Sequence, residues 1–160
     1  MLPLVPLVLA ETLMELKSPA FDPGGVIPAR FTCEGANVSP PLQWSGAPAE
    51  TRSFALIVDD PDAPGRTWLH WTAWDIPATA TKLAEGEAPR AQGTNDFRAV
   101  GYGGPCPPRG HGAHRYFFRL YALDRAVTLA PGATRQELDK AMEGHVLAKA
   151  EVMGKFWRDK

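Results

Sequence analysis

Hydrophobic and polar positions along the chain alternate in the short-period manner of strands, punctuated throughout by turn residues. Residues 52–59, RSFALIVD, form an apolar, β-branched run that ends in the turn-forming DPDAPG at 60–65. Residues 66–76, RTWLHWTAWDI, follow as a second run. A period of two puts Trp68, His70, Thr72 and Trp74 on one face and Leu69, Trp71 and Ala73 on the other. Both faces are bulky and apolar, so this strand is expected to be covered on both sides within a packed sheet. Residues 114–123, HRYFFRLYAL, make a third run, with His114, Tyr116, Phe118 and Leu120 facing opposite to Arg115, Phe117, Arg119 and Tyr121. One helix is expected after Thr134, where Thr134 and Glu137 form a capping box and Leu138, Met142 and Val146 recur every fourth residue. Beyond it, residues 149–157 lose the helical period and read as a final strand.

Sixteen prolines and fifteen glycines are spread along all 160 residues rather than gathered in a linker, which suits a single β-dominated domain with many turns. Residues 14–160 are read as that domain. Residues 1–13 form an extension, because Met14 opens a stretch that resembles a second start. The apolar MLPLVPLVLA lacks a basic n-region, is interrupted by two prolines and is too short to span a bilayer. Seventeen basic residues nearly balance eighteen acidic ones, and no basic run is present, so nucleic acid is excluded as a first expectation. Cys33 and Cys106 have neither CxxC nor zinc-ligand spacing. They are expected to be reduced thiols of a cytoplasmic protein, with a single bridge as the alternative.

Three segments place polar groups in apolar surroundings. The first is VDDPDAPG (58–65), where a hydrophobic strand ends in three carboxylates, more than a turn requires. The second is His70 among Trp68, Trp71 and Trp74, either a satisfied core residue or a pocket residue able to hold a proton near neutrality. The third is GYGGPCPPRGHGAHRYFF (101–118), a stiff glycine/proline loop whose backbone N–H groups could turn toward an anion before the strand at His114 begins. No helix follows Gly101 and Gly103, so a dinucleotide-binding loop is rejected, and His111-x-x-His114 is weak as a metal motif.

Two long runs, DPDAPGRTWLHW (60–71) and YGGPCPPRGHGAHRYFFRLYALD (102–124), closely resemble the signature regions of the phosphatidylethanolamine-binding protein family. The segments SPAFDPGGVIPARFTCEGANVSPPLQWSGAP (18–48) and EGHVLAKAEVMGKF (143–156) resemble its bacterial, Raf-kinase-inhibitor-like branch. The resemblance implies a mainly β fold, an antiparallel sandwich of two packed sheets with one or two peripheral helices. It also implies an anion pocket at one end, lined by Asp60, His70, Pro107, Pro108, His114 and Tyr116. Asp62 is given a structural role in the turn. Cys106 stands where animal members carry glycine, and the chain ends too soon after Trp157 for their C-terminal helix.

The function implied is non-catalytic binding of a small anion or phosphorylated headgroup, with regulation of a kinase or protease partner. No cofactor, metal or integral membrane segment is expected, and a homodimer is compatible with the aromatic composition. The alternative is a small hydrolase using Asp60, His70 and His114 as acid and base groups, with Cys106 the only candidate nucleophile. A metal site built from Asp60, His70 and His114 ranks third. Two local expectations complete the reading: a cis bond in the DPDAP turn, Ala63–Pro64 first, and a fold that tolerates loss of His114 because it lines a wet cavity.

Overall fold

The strand at Ser53–Asp60 (β3) is buried along its whole length because both of its faces are covered. It lies centrally in a five-stranded antiparallel sheet between Trp68–Pro77 (β4) and His114–Leu123 (β7). The short Ala91–Gln92 (β6) extends the sheet beyond β4, and Val146–Phe156 (β8) extends it beyond β7. A second sheet joins Glu15–Lys17 (β1), Leu42–Ser45 (β2) and Lys82–Leu83 (β5). The computed structural model describes residues 13–160, so the extension expected over 1–13 lies, apart from Leu13, outside the described residues. No helix among the described residues is long and apolar enough to cross a membrane.

The two faces of the large sheet have different partners. Phe54, Leu56 and Val58 of β3, with Trp71, Phe118 and Leu120, pack toward the small sheet, where they share one core with Leu16 and Trp44. Ala55 and Ile57 point the other way, onto Leu138 and Met142 of the α-helix Arg135–Met142 (α1). The Thr134–Glu137 capping box forms as read. The helix is shorter than its apolar stripe, however. Glu143 leaves helical geometry and Gly144 takes φ 78°, so Val146 begins β8 instead of adding a further turn. Asp59, on the helix-side face, accepts hydrogen bonds from Arg119 (3.0 Å) and Arg135 (2.8 Å) and so ties α1 to the sheet.

Two expectations fail. Cys33 and Cys106 form a disulfide across a separation of 73 residues, not a pair of reduced thiols. The fold brings the 29–35 segment against the glycine/proline loop, which puts the two sulfurs together. The bridge removes the cysteine-based reason for expecting a reducing compartment. The peptide bonds of the described residues are all trans, including both X–Pro bonds of the DPDAP turn. The reversal is made instead by Gly65 at φ 81° and by the Asp60 side chain, whose Oδ1 accepts from the Asp62 N–H at 2.7 Å.

Candidate functional site

The end of the inter-sheet core holds the polar groups. Asp60 is the last residue of the row that begins Phe54, Leu56 and Val58, so strand alternation carries it to the rim of the core. His114 and Tyr116 continue the inward row of Phe118 and Leu120 on the neighbouring strand. His70 arrives there by a different device. Val58 pairs with Trp71 and Asp59 with Leu69, so His70 is the extra residue of a β-bulge. The bulge breaks the simple alternation read from the sequence. Leu69 joins Trp74 on the helix side, Trp71 and Ala73 enter the inter-sheet core, and His70 turns into the pocket.

All six expected residues, Asp60, His70, Pro107, Pro108, His114 and Tyr116, line one cavity of about 280 Å³. That is near the lower end of the usual size for small-molecule sites. Trp68 and Phe97 complete its apolar wall. Trp68 lies within a segment already singled out, but Phe97 was not anticipated. It stands alone in NDFRA, and only the tertiary structure gives it a role. Buried Asn95 builds that loop by accepting from the N–H groups of Phe97 and Ala99 and donating to the Gly101 carbonyl. Gly103 then lets the Phe97 ring approach the backbone closely, where any Cβ would collide with it.

The polar floor is a chain of hydrogen bonds. His114 Nδ1 donates to Asp60 Oδ2 at 2.7 Å, and both residues are almost wholly buried. His114 Nε2 lies 2.7 Å from Nδ1 of His111, an exposed residue of the loop. His70 Nδ1 donates to the Gly103 carbonyl at 2.6 Å, which fixes the tautomer and leaves Nε2 without a protein partner. The His70 and Tyr116 rings meet edge to face, 5.2 Å apart. The Tyr116 hydroxyl is buried and has no hydrogen-bond partner. Burial first, and then the nearby Asp60 carboxylate, hold it as a neutral phenol far above its ordinary pKa. Asp62 faces away from the cavity and accepts three hydrogen bonds from Arg115, which supports its structural role.

The loop supplies less to a ligand than its glycines suggested. Pro105, Pro107 and Pro108 have no N–H. The N–H groups of Gly103, Gly104, Gly110 and His111 are already bonded to His70, Asn37, Arg158 and Pro108. Most of the loop is therefore a wall, with the Cys106 N–H left beside the cavity and the rest of the hydrogen-bonding capacity in the side chains. No group of three or more His, Cys, Asp or Glu among the described residues is arranged to hold a metal ion.

Burial is the main influence on His70 and pushes its pKa below the ordinary value near 6.5. The unfolded chain therefore takes up a proton before the folded one does as pH falls. Stability is expected to be full above about pH 6.5 and to decline below it, toward the lowered folded-state pKa. Urea melts across this range should show the decline in the wild type. They should show a smaller slope in His70→Asn, which keeps a donor for Gly103 but does not titrate. Equal slopes would mean that His70 is not the group responsible.

The profile of one family, described as phosphatidylethanolamine-binding protein, matches residues 17–157. A UPF0098 protein of the archaeon Methanothermobacter thermautotrophicus is 51% identical over 152 residues, covering 91% of this chain and 99% of that one. A UPF0098 protein of the bacterium Aquifex aeolicus is 47% identical, covering 92% and 90%. Among solved structures, a phosphatidylethanolamine-binding protein homologue from Chlamydia trachomatis superposes with a TM-score of 0.87 at 40% identity, covering 92% of this chain and 99% of that one. Escherichia coli YbcL, described as a new member of the mammalian family, superposes with a TM-score of 0.85 at 35% identity, covering 94% and 100%. With relatives in both archaea and bacteria, the match supports the family as a whole and not its bacterial branch alone. The sandwich, the two signature segments meeting at one cavity and the near-complete match place this chain in the phosphatidylethanolamine-binding protein family.

Proposed function

We propose that the cavity binds a small oxyanion, inorganic phosphate or a phosphorylated headgroup, and that the protein acts by binding and not by turnover. The observation that carries this reading is the Tyr116 hydroxyl, buried and unpartnered beside two imidazoles. A buried hydroxyl without a partner costs about 1–3 kcal/mol, which a ligand oxygen accepting its proton would recover. His70 Nε2, neutral and free, would accept from a protonated ligand oxygen or from the ammonium of an ethanolamine group. His114, protonated and held by Asp60, would supply the positive charge. Trp68 and Phe97 would cover the apolar part of a headgroup.

The wider role, regulation of a kinase or protease as in the Raf-kinase-inhibitor-like branch, rests on the resemblance of the 18–48 and 143–156 segments alone. The hydrolase alternative loses its only candidate nucleophile, because the Cys106 sulfur is bonded to Cys33 and cannot act as a thiolate.

Calorimetric titration with phosphate tests the reading. The wild type should bind, and Tyr116→Phe, which removes only the hydroxyl, should bind roughly three- to tenfold more weakly. Unchanged affinity in the variant would remove the hydroxyl from the site and with it the main support for this function.

A further inference from the structure

The ligand-facing nitrogen of His114 is already occupied. Its Nδ1 is bound by Asp60, and its Nε2 lies 2.7 Å from Nδ1 of His111, with the rings 4.9 Å apart. We propose that His111 is the gate of the pocket: it competes with the anion for His114 Nε2, and a ligand takes that nitrogen only when His111 swings away. This rests on the anion-binding reading above and names the residue that would regulate access to it.

The proton count between the rings explains how such a gate would work. Two nitrogens at 2.7 Å share one hydrogen, so one donates and the other accepts. With His114 Nδ1–H given to Asp60, a neutral His114 presents a bare Nε2, and His111 donates to it through Nδ1–H. That arrangement leaves an anion no donor and no free lone pair at this nitrogen. One added proton can be carried by either ring, with the shared hydrogen bond retained. A second added proton puts N–H on both facing nitrogens, and the rings must part. His114 then presents Nε2–H as a charge-assisted donor, backed by Asp60. Anion binding pulls in the same direction, because the anion accepts that hydrogen.

The surroundings permit the movement. His111 is exposed and lies between Gly110 at φ 71° and Gly112 at φ 89°. A Cβ at Gly112 would meet nothing within 4 Å, so the outward side of the turn is open. The charged groups around the pair come from every neighbouring element: Asp60 from β3, Asp62 from the turn after it, Arg115 from β7 and Lys155 from β8. Arg109 lies in the same loop, and Arg158 binds the Pro107 carbonyl. Arg115 is committed to Asp62, so Lys155, together with Lys160, whose side chain packs on Gly110, disfavours a charged, docked His111 and helps release it.

Phosphate titrations of the wild type, His111→Ala and His111→Asn test the gate one pH unit either side of free imidazole, ~6.5. Above it, His111→Ala should bind phosphate roughly two- to tenfold more tightly than the wild type, because one competing hydrogen bond is gone. Below it, the difference should narrow as the second added proton, the one that parts the two rings, is taken up. His111→Asn keeps a donor where Nδ1 stood and cannot titrate, so it should bind more weakly than His111→Ala on both sides. Three coincident affinity profiles would overturn the gate while leaving the anion pocket standing. If none of the three binds phosphate, the anion reading fails, and imidazole nitrogen resonances without phosphate decide the gate by themselves. The His114 Nε2 signal should titrate differently in the wild type and in His111→Ala, and identical titrations overturn the proposal.

Discussion

Replacing Cys33 and Cys106 together by serine is expected to lower the unfolding free energy by about 4 kcal/mol, the chain-entropy value for a bridge of this span. The two cysteines are 73 residues apart, so the bridge closes roughly half of the chain in the unfolded state. Typical domains have only about 5–15 kcal/mol in total, which makes this one of the largest single contributions to the fold. The pocket should nevertheless keep its shape. Three other contacts hold the loop to the 29–37 segment: Cys33 N–H to the Pro105 carbonyl, the Tyr102 hydroxyl to the Phe31 carbonyl, and Gly104 N–H to Asn37 Oδ1. Urea unfolding of the serine variant should therefore show reduced stability and no response to dithiothreitol. The wild type should fall to the same value when reduced. A loss under about 1 kcal/mol would mean that the unfolded chain is already compact around this pair.

The second large effect is expected at His114. His114→Ala should weaken phosphate binding by about 1.5–3 kcal/mol, roughly ten- to 150-fold, the range for a hydrogen bond to a charged group. The expectation that this substitution leaves the fold untouched has to be revised. His114 is 2% exposed and Asp60 3%, so the pair is a buried one, not part of a wet rim. Removing the imidazole leaves Asp60 with only the Asp62 N–H as a hydrogen-bond partner, at a further cost of about 2 kcal/mol. Asp60→Ala should weaken phosphate binding as well, because the His114 imidazolium loses its counter-charge. Combined titration and unfolding of His114→Ala should separate the two losses. Wild-type affinity in a destabilised variant would show that His114 holds the strand end and not the ligand.

The strands and the pocket were legible in the chain to different degrees. The run over 52–59 is continuously apolar and appears as β3, and the run over 114–123 appears as β7 with the two faces read from its alternation. The apolar stripe overruns the helix because Val146 fits it, while the stop comes from the backbone at Glu143 and Gly144. The bulge at His70 could not be read, since two-against-one pairing is a property of both strands. The Cys33–Cys106 bridge depends on a contact between segments distant in sequence, and residue spacing does not encode it. The six pocket residues were placed through the two signature segments, and all six meet at one cavity. Phe97 escaped because no pattern marks a lone aromatic in a loop. In the sequence the His111–His114 pair is only a weak metal motif, whereas the geometry makes it a shared hydrogen bond.

Crystals grown in phosphate test most directly whether an oxyanion sits against Tyr116 and the histidines. Tetrahedral density is expected in the cavity, within hydrogen-bond distance of the Tyr116 hydroxyl and of at least one nitrogen of His70 or His114. A cavity that stays free of phosphate at saturating concentration, with the Tyr116 hydroxyl turned onto a protein group, would contradict it.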